Sequence, residues 1–243
     1  MVTTYHDANF LHFDPHPDLV KRQKASLERA DVIICVSENT KNDMLKYFNV
    51  DEKKARVVYH GIDIPDLSRL PKRRLVGDEY ILFVGRRHRH KNFKRFIEAF
   101  AIVHTKHPDI KLVCTGDKFT SEEISLMTDL KVIDAVKLIQ ANEVEMKMLY
   151  RDASFFIFPS LYEGFGMPIL EAWSCNCPVL LADASCFPEI AGDAGLYFQP
   201  TSVDDMIDKM EKALTDEELR KSLMAKGSER VKMFSWKRCA NEH

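Results

Sequence analysis

From residue 80 onward the chain alternates short, almost wholly apolar runs with longer amphipathic stretches, and that alternation leaves few folds open. The runs occupy residues 80–84, 110–114, 136–139, 154–158, 178–181 and 195–198 and are rich in β-branched or aromatic side chains. Continuous apolar character of this kind marks strands covered on both faces, as in a parallel sheet flanked by helices. The stretches between them carry helix starts. Asn92 is expected to cap a helix with Phe93, Phe96, Ile97, Phe100 and Ala101 on one face. Thr120 with Glu123, Asn142 with Glu145 and Thr215 with Glu218 have capping-box spacing. Strand and helix in alternation predict a doubly wound α/β domain from about Ile64 into the 220s, with ligands at the carboxyl ends of its strands.

An earlier block is shorter. Residues 26–30 read as helix, 31–36 as a buried strand, 37–48 as a helix with Ser37 near its cap, 56–59 as a strand and 60–65 as a linker. These strands are too few to complete a domain, so the block reads as a truncated piece. The predicted organisation is a partial first domain over residues 1–64, a full second domain over 65–230, and the start of a C-terminal helix over 231–243.

Composition excludes more than it selects. A length of 243 residues with 45% hydrophobic and 30% charged content suits one large or two modest globular domains. A net charge of −2 gives no global field that would draw in nucleic acid or a membrane surface, although basic residues cluster at 69–74 and 86–91. The six cysteines are scattered, and those at 35 and 114 fall inside apolar runs where a thiol acts as a small hydrophobe. Cys175 and Cys177 lack a second ligand pair at zinc spacing, and a reducing cytosol is the simplest compartment. No run approaches the length of a membrane span, so the expectation is a cytoplasmic protein, with peripheral contact at the inner face of a membrane left open.

Two loops carry the chemistry. After the run at 154–158 comes Pro159-Ser-Leu-Tyr-Glu163-Gly164-Phe165-Gly166-Met-Pro168-Ile-Leu-Glu171. Gly164 and Gly166 let backbone approach a ligand, and Pro168 suits the first turn of a helix. Strand, glycine loop and helix start in that order make an anion site from bare N–H groups and the helix dipole, here flanked by two carboxylates. A tight turn with both glutamates solvated is the plainer alternative. After the run at 80–84 comes Gly85-Arg86-Arg-His-Arg-His-Lys91-Asn92. Arg86 and Lys91 at a strand's carboxyl end suit a diphosphate, the first as a fork and the second as a point charge. His88 and His90 lack a third ligand, so no metal site is expected.

These motifs, with Phe187-Pro-Glu-Ile-Ala-Gly-Asp-Ala-Gly195, resemble the donor domain of the family 4 retaining glycosyltransferases of GT-B fold. Tyr5-His6-Asp7, the segment 30–38 and Tyr59-His-Gly-Ile-Asp63 resemble the second half of that family's acceptor domain and its linker. The resemblance implies two Rossmann-like domains, the second complete. It places Arg86 and Lys91 on the donor diphosphate, Glu171 on the nucleotide ribose, Glu163 beside the donor sugar, the Gly164-Phe165-Gly166 backbone on sugar or phosphate, and Leu138-Ile139 against the base. His6 would reach the donor sugar from the opposite domain.

It further implies metal-independent transfer of a mannose- or glucose-type hexose, with retention, from a GDP- or UDP-sugar to a glycan or lipid-linked acceptor hydroxyl, and no cofactor. A front-face route is favoured over a covalent Glu163 intermediate. Departures are Asn176 where the family has Gly, His60 where it has Asn, the missing opening strands of the acceptor domain, and an end short of the helix that returns to it. The truncation predicts weak or no activity for this chain alone. Competing readings are a nucleotide-sugar-binding module without transfer and an epimerase or hydrolase of the same fold. Nucleic-acid binding is disfavoured because aromatics are not interleaved with the basic run.

Overall fold

The computed structural model describes residues 1–13 and 15–242. Its first unit is a three-stranded parallel sheet, β1 (Val2–Tyr5), β2 (Val32–Cys35) and β3 (Ala55–Val57), in that spatial order. Helices α1 (Asn9–Phe13), α2 (Pro17–Arg29) and α3 (Glu38–Phe48) connect the strands. Tyr5, Leu27, Ile33, Cys35, Met44 and Phe48 form the centre of its small core. Ser37 caps α3, accepting from the Thr40 amide at 3.0 Å.

The second unit holds β4 (Tyr80–Phe83), α4 (Phe93–Lys106), β5 (Lys111–Cys114), α5 (Ser121–Asp129), β6 (Val136–Leu138), α6 (Glu143–Asp152) and β7 (Phe155–Phe158). It continues through α7 (Met167–Ser174), β8 (Val179–Ala182), α8 (Phe187–Ala191), β9 (Leu196–Phe198), α9 (Val203–Thr215) and α10 (Glu217–Arg230). The sheet order is β6-β5-β4-β7-β8-β9, every pairing parallel. From β4 the chain winds outward to β6, then returns to the middle and winds the other way from β7. The doubly wound sheet expected from the apolar runs is therefore present. Its β4, β7 and β8 are buried at every position, because helices cover both faces. A ladder of rings, Phe83 on Phe96 at 5.8 Å and Phe96 on Phe100 at 6.4 Å, fastens α4 to the sheet.

The order reverses between β4 and β7, the point at which the connections after two neighbouring strands of an open parallel sheet diverge and ligands are generally bound. The basic loop leaves β4 and the glycine loop leaves β7, so topology alone brings the two motifs side by side.

Some local expectations need correction. Thr120 and Asn142 do form capping boxes. Asn92, however, precedes α4 in the left-handed region (φ 56°), and its side chain donates to the Pro200 carbonyl at 2.7 Å instead of capping. Thr215 is the last residue of α9, and Asp216 caps α10 by accepting from the Leu219 amide at 2.8 Å. β1 and α1 are additional to the elements expected, and α2 runs well upstream of residue 26, a mostly polar helix with only Leu27 buried. Asn176 takes the left-handed turn (φ 57°) that glycine would fill.

Near its end the chain crosses the linker. Ile62 N–H donates to the Phe234 carbonyl at 3.2 Å, and α11 (Trp236–Glu242) begins against Gly61, where any Cβ would overlap the Trp236 backbone.

Candidate active site

The chain turns away from β4 at Gly85, in a left-handed conformation (φ 107°), and packs so tightly on Gly116 that a side chain there would meet the Gly85 carbonyl. Of the two arginines that follow, the structure separates their tasks. Arg86 projects outward, its side chain 70% exposed, with Asp117 3.4 Å from Nε. Arg87 turns in and is 3% exposed. Its Nε donates to Glu123 at 2.9 Å, its terminal nitrogen to the Asp117 and Lys118 carbonyls, and its guanidinium lies 4.5 Å from the Phe119 ring centre. Glu123 holds Arg87 through one carboxylate oxygen and closes the α5 capping box through the other. Arg87 thereby ties the basic loop to the next loop along.

Lys91 ends the basic loop. Its ammonium reaches Glu163 at 2.6 Å, both side chains mostly buried, and sits 5.2 Å from the centre of the Phe158 ring. A backbone bond from Leu161 N–H to the His90 carbonyl (2.7 Å) staples the two loops together just beside this pair. Glu163 is held from behind as well: its amide donates to Ser185 Oγ at 3.1 Å, and the Cys186 thiol to its carbonyl. The two residues sit in a small electrostatic pair at the switch point, next to the N-terminus of α7. Gly166 enters α7 with φ 93°, and Pro168 occupies the first turn, as read from the sequence.

The glycine loop is more committed than its sequence implies. The Gly164 carbonyl accepts from Ser37 Oγ at 2.6 Å and Thr40 Oγ1 at 2.9 Å, both from the start of α3 in the first unit. A Cβ on Gly164 would overlap the His6 carbonyl oxygen. That carbonyl is thus occupied by the other half of the molecule and is not open to a sugar. Phe165 is buried against Tyr59, His60 and Phe234, so its ring belongs to the core.

Glu171 lies one turn beyond Gly166–Pro168 in α7 and faces a different space. A cavity of about 320 Å³ runs past Glu171, Tyr150, Met146, Glu143, Ile62 and Asp63. The Tyr150 hydroxyl donates to Glu171 Oε2 at 2.9 Å. Burial raises the pKa of Glu171, and this hydrogen bond pulls it back. Arg86, Lys91 and Glu163 do not line that cavity, so only Lys91 and Glu163 among the four charged candidates are in contact. Leu138 and Ile139 are half-buried at the end of β6 and pack on the core without lining the cavity either.

His6 follows β1 and is exposed; its ring stacks on His60 of the linker at 5.9 Å, 18° from parallel. Burial, with His6 adding to it, lowers the pKa of His60. Several functional contacts were not foreseen. Glu189 of α8 accepts from the amides of Glu38 and Asn39 at 2.7 and 3.1 Å, a carboxylate on the N-terminus of α3. Tyr162 donates to Asp43 at 2.5 Å across the same junction. Only Tyr162's place beside Glu163 in the motif hinted at such a role. Among the described residues no group of three or more His, Cys, Asp or Glu side chains is arranged to hold a metal ion.

Known proteins with this arrangement can now be named. Residues 69–230 match the family described as glycosyl transferases group 1, and residues 1–65 match glycosyltransferase family 4. The O-antigen chain mannosyltransferase B of Escherichia coli is 27% identical over 99% of this chain and 68% of its own length. The O-antigen chain mannosyltransferase RfbU of Salmonella typhimurium is 29% identical over 73% of this chain and 49% of its own. The chain thus spans between about half and two thirds of these relatives. The crystal structure of Anabaena HepE with UDP-glucose superposes with a TM-score of 0.84 over 99% of this chain and 69% of HepE, at 18% identity. The architecture is that of the GT-B glycosyltransferases.

Proposed function

The chain belongs to the glycosyl transferases group 1 family, and from that premise we propose that it is the part of a retaining enzyme that binds a nucleotide-diphosphate hexose and transfers the sugar to a glycan or lipid-linked hydroxyl. The observation that carries this reading is the Lys91–Glu163 contact of 2.6 Å at the switch point, beside the α7 N-terminus. Such a pair fits a ligand with a doubly charged phosphate next to a sugar. The diphosphate competes for the Lys91 ammonium, and Glu163, released from it, faces the sugar.

In the reaction the bond between the anomeric carbon and the phosphate oxygen breaks, and the acceptor oxygen bonds to the same face of that carbon. The acceptor proton passes to a phosphate oxygen of the leaving nucleotide. Charge grows on the diphosphate as it leaves, and Lys91, Arg86 and the α7 amides stabilise it in this reading. Arg86, 70% exposed and beside Asp117, exchanges that carboxylate for the diphosphate. Because these cations carry the charge, the reaction proceeds without a metal ion. Glu171 accepts from the ribose in the neighbouring cavity. The relatives' names, O-antigen chain mannosyltransferases, support a mannose donor and a place in polysaccharide synthesis; GDP-mannose is the donor we propose first and UDP-hexoses next, with peripheral contact at the inner face of a membrane.

The test is thermal stability against GDP-mannose, UDP-glucose, UDP and GDP, since a ligand bound only by the folded state raises the melting temperature. The donor that shifts it is then offered with an acceptor and EDTA. An α-linked product from an α-linked donor, formed at an unchanged rate in EDTA, is expected. An inverted product overturns retention, and loss of turnover in EDTA overturns metal independence. Release of free sugar alone identifies a hydrolase.

A further inference from the structure

Glu171 offers a ligand only one oxygen. Its Oε2 accepts the Tyr150 hydroxyl at 2.9 Å, and among the described residues no side chain or amide donates to Oε1. Tyr150 is buried, and its ring meets Phe156 of β7 edge-on at 5.6 Å, so the hydroxyl cannot follow the carboxylate if it rotates. Burial pushes the Glu171 carboxyl up, and Ile62, Met146 and Cys175 line the same cavity together with Asp63, Glu143 and Lys147. In such surroundings an untethered carboxylate would turn freely and tend to take up a proton. The phenol opposes both tendencies, because it fixes the plane of the group and favours its ionised form.

We infer that Tyr150 is a positioning residue for ribose recognition, tying Oε2 so that Oε1 alone, in fixed orientation, accepts from the sugar diol of a ribonucleoside diphosphate. The inference rests on the reading of Glu171 as the ribose acceptor. It makes selectivity for ribose over deoxyribose depend on a residue that does not touch the nucleotide.

The full chain is titrated with UDP and GDP and with their 2′-deoxy and 3′-deoxy analogues, in wild type, Tyr150→Phe and Glu171→Gln. In wild type, a deoxy analogue that lacks the engaged hydroxyl should bind roughly ten- to a hundredfold more weakly, as for a lost hydrogen bond to a charged group. Tyr150→Phe should reduce that ratio to a few-fold. It should also move the acid limb of nucleotide affinity to higher pH, which a purely structural loss would not do. An unchanged ratio in Tyr150→Phe, with the ratio lost in Glu171→Gln, overturns the role of Tyr150 and leaves the ribose reading standing. An unchanged ratio in Glu171→Gln, or no deoxy discrimination in wild type, overturns the ribose reading and the inference with it. Should Tyr150→Phe fail to fold, the wild-type deoxy ratio followed as pH falls still decides, since a ratio that collapses just below neutral pH contradicts a carboxylate kept ionised by its tether.

Discussion

Glu163 and Glu171 stand on one loop and helix, yet they occupy opposite electrostatic settings. Glu163 is paired with an ammonium 2.6 Å away and held from behind by Ser185 and Cys186. Glu171 has a phenol for a partner and a cavity of mixed apolar and charged walls in front. A carboxylate matched to a cation can exchange that cation for a more strongly charged ligand, which suits the reacting end of a nucleotide sugar. A carboxylate matched to a neutral donor keeps its charge for one hydrogen bond, which suits recognition. In the proposed reading the same side chain thus serves chemistry in one place and binding in the other through its neighbours alone.

The sharpest way to break this comparison is Glu163→Gln, which keeps the shape and removes the charge. Turnover should fall about 10²–10³-fold with donor KM changed only a few-fold, as for a group acting mainly in the transition state. Retained kcat with a raised KM would show that the two glutamates do the same work. Next in size is Arg87→Met, which strands Glu123 at the end of a buried pair. A loss of about 3 kcal/mol is expected, read as a melting temperature lower by roughly 6–12 °C, with donor binding weakened because the basic loop loses its tether. Glu171→Gln should weaken nucleotide affinity about tenfold by calorimetry and leave kcat within a few-fold.

The smallest effect is on pH. Burial first, then Lys91 and His88, pushes the pKa of His90 down to about 4, against about 6.5 in an unfolded chain. Between those values the unfolded chain holds more protons, so stability is complete above pH 6.5 and declines as pH falls toward 4. His60, also lowered, acts in the same direction. Melting temperature should drop between pH 7 and 5 by roughly 2–4 °C more in wild type than in His90→Gln, the partly exposed ring being screened.

What the residues disclose on their own follows a physical line. Strands covered on both faces leave unbroken apolar runs, so each of the six in the large sheet was legible to within a residue or two. The strand-loop-helix motifs were legible because glycine, proline and charge sit together. Partners that meet only across the fold were not: nothing in α3 announces that Ser37 and Thr40 reach Gly164, nor in α6 that Tyr150 reaches Glu171. Adjacent arginines are another blind spot. Residues 86 and 87 are equally basic, and only the turn at Gly85 decides which one enters the protein and which faces solvent. The polar composition of α2, with Leu27 alone buried, hid most of that helix.

The hydroxyls of Ser37 and Thr40 on the Gly164 carbonyl have one more consequence. If the two units swing apart, that oxygen exchanges two fixed hydroxyl donors for water, and the residue next to Glu163 registers the separation. An amide-carbonyl infrared probe at position 164 would therefore serve as a gauge of the junction, its band moving and broadening as fixed hydroxyl donors give way to water.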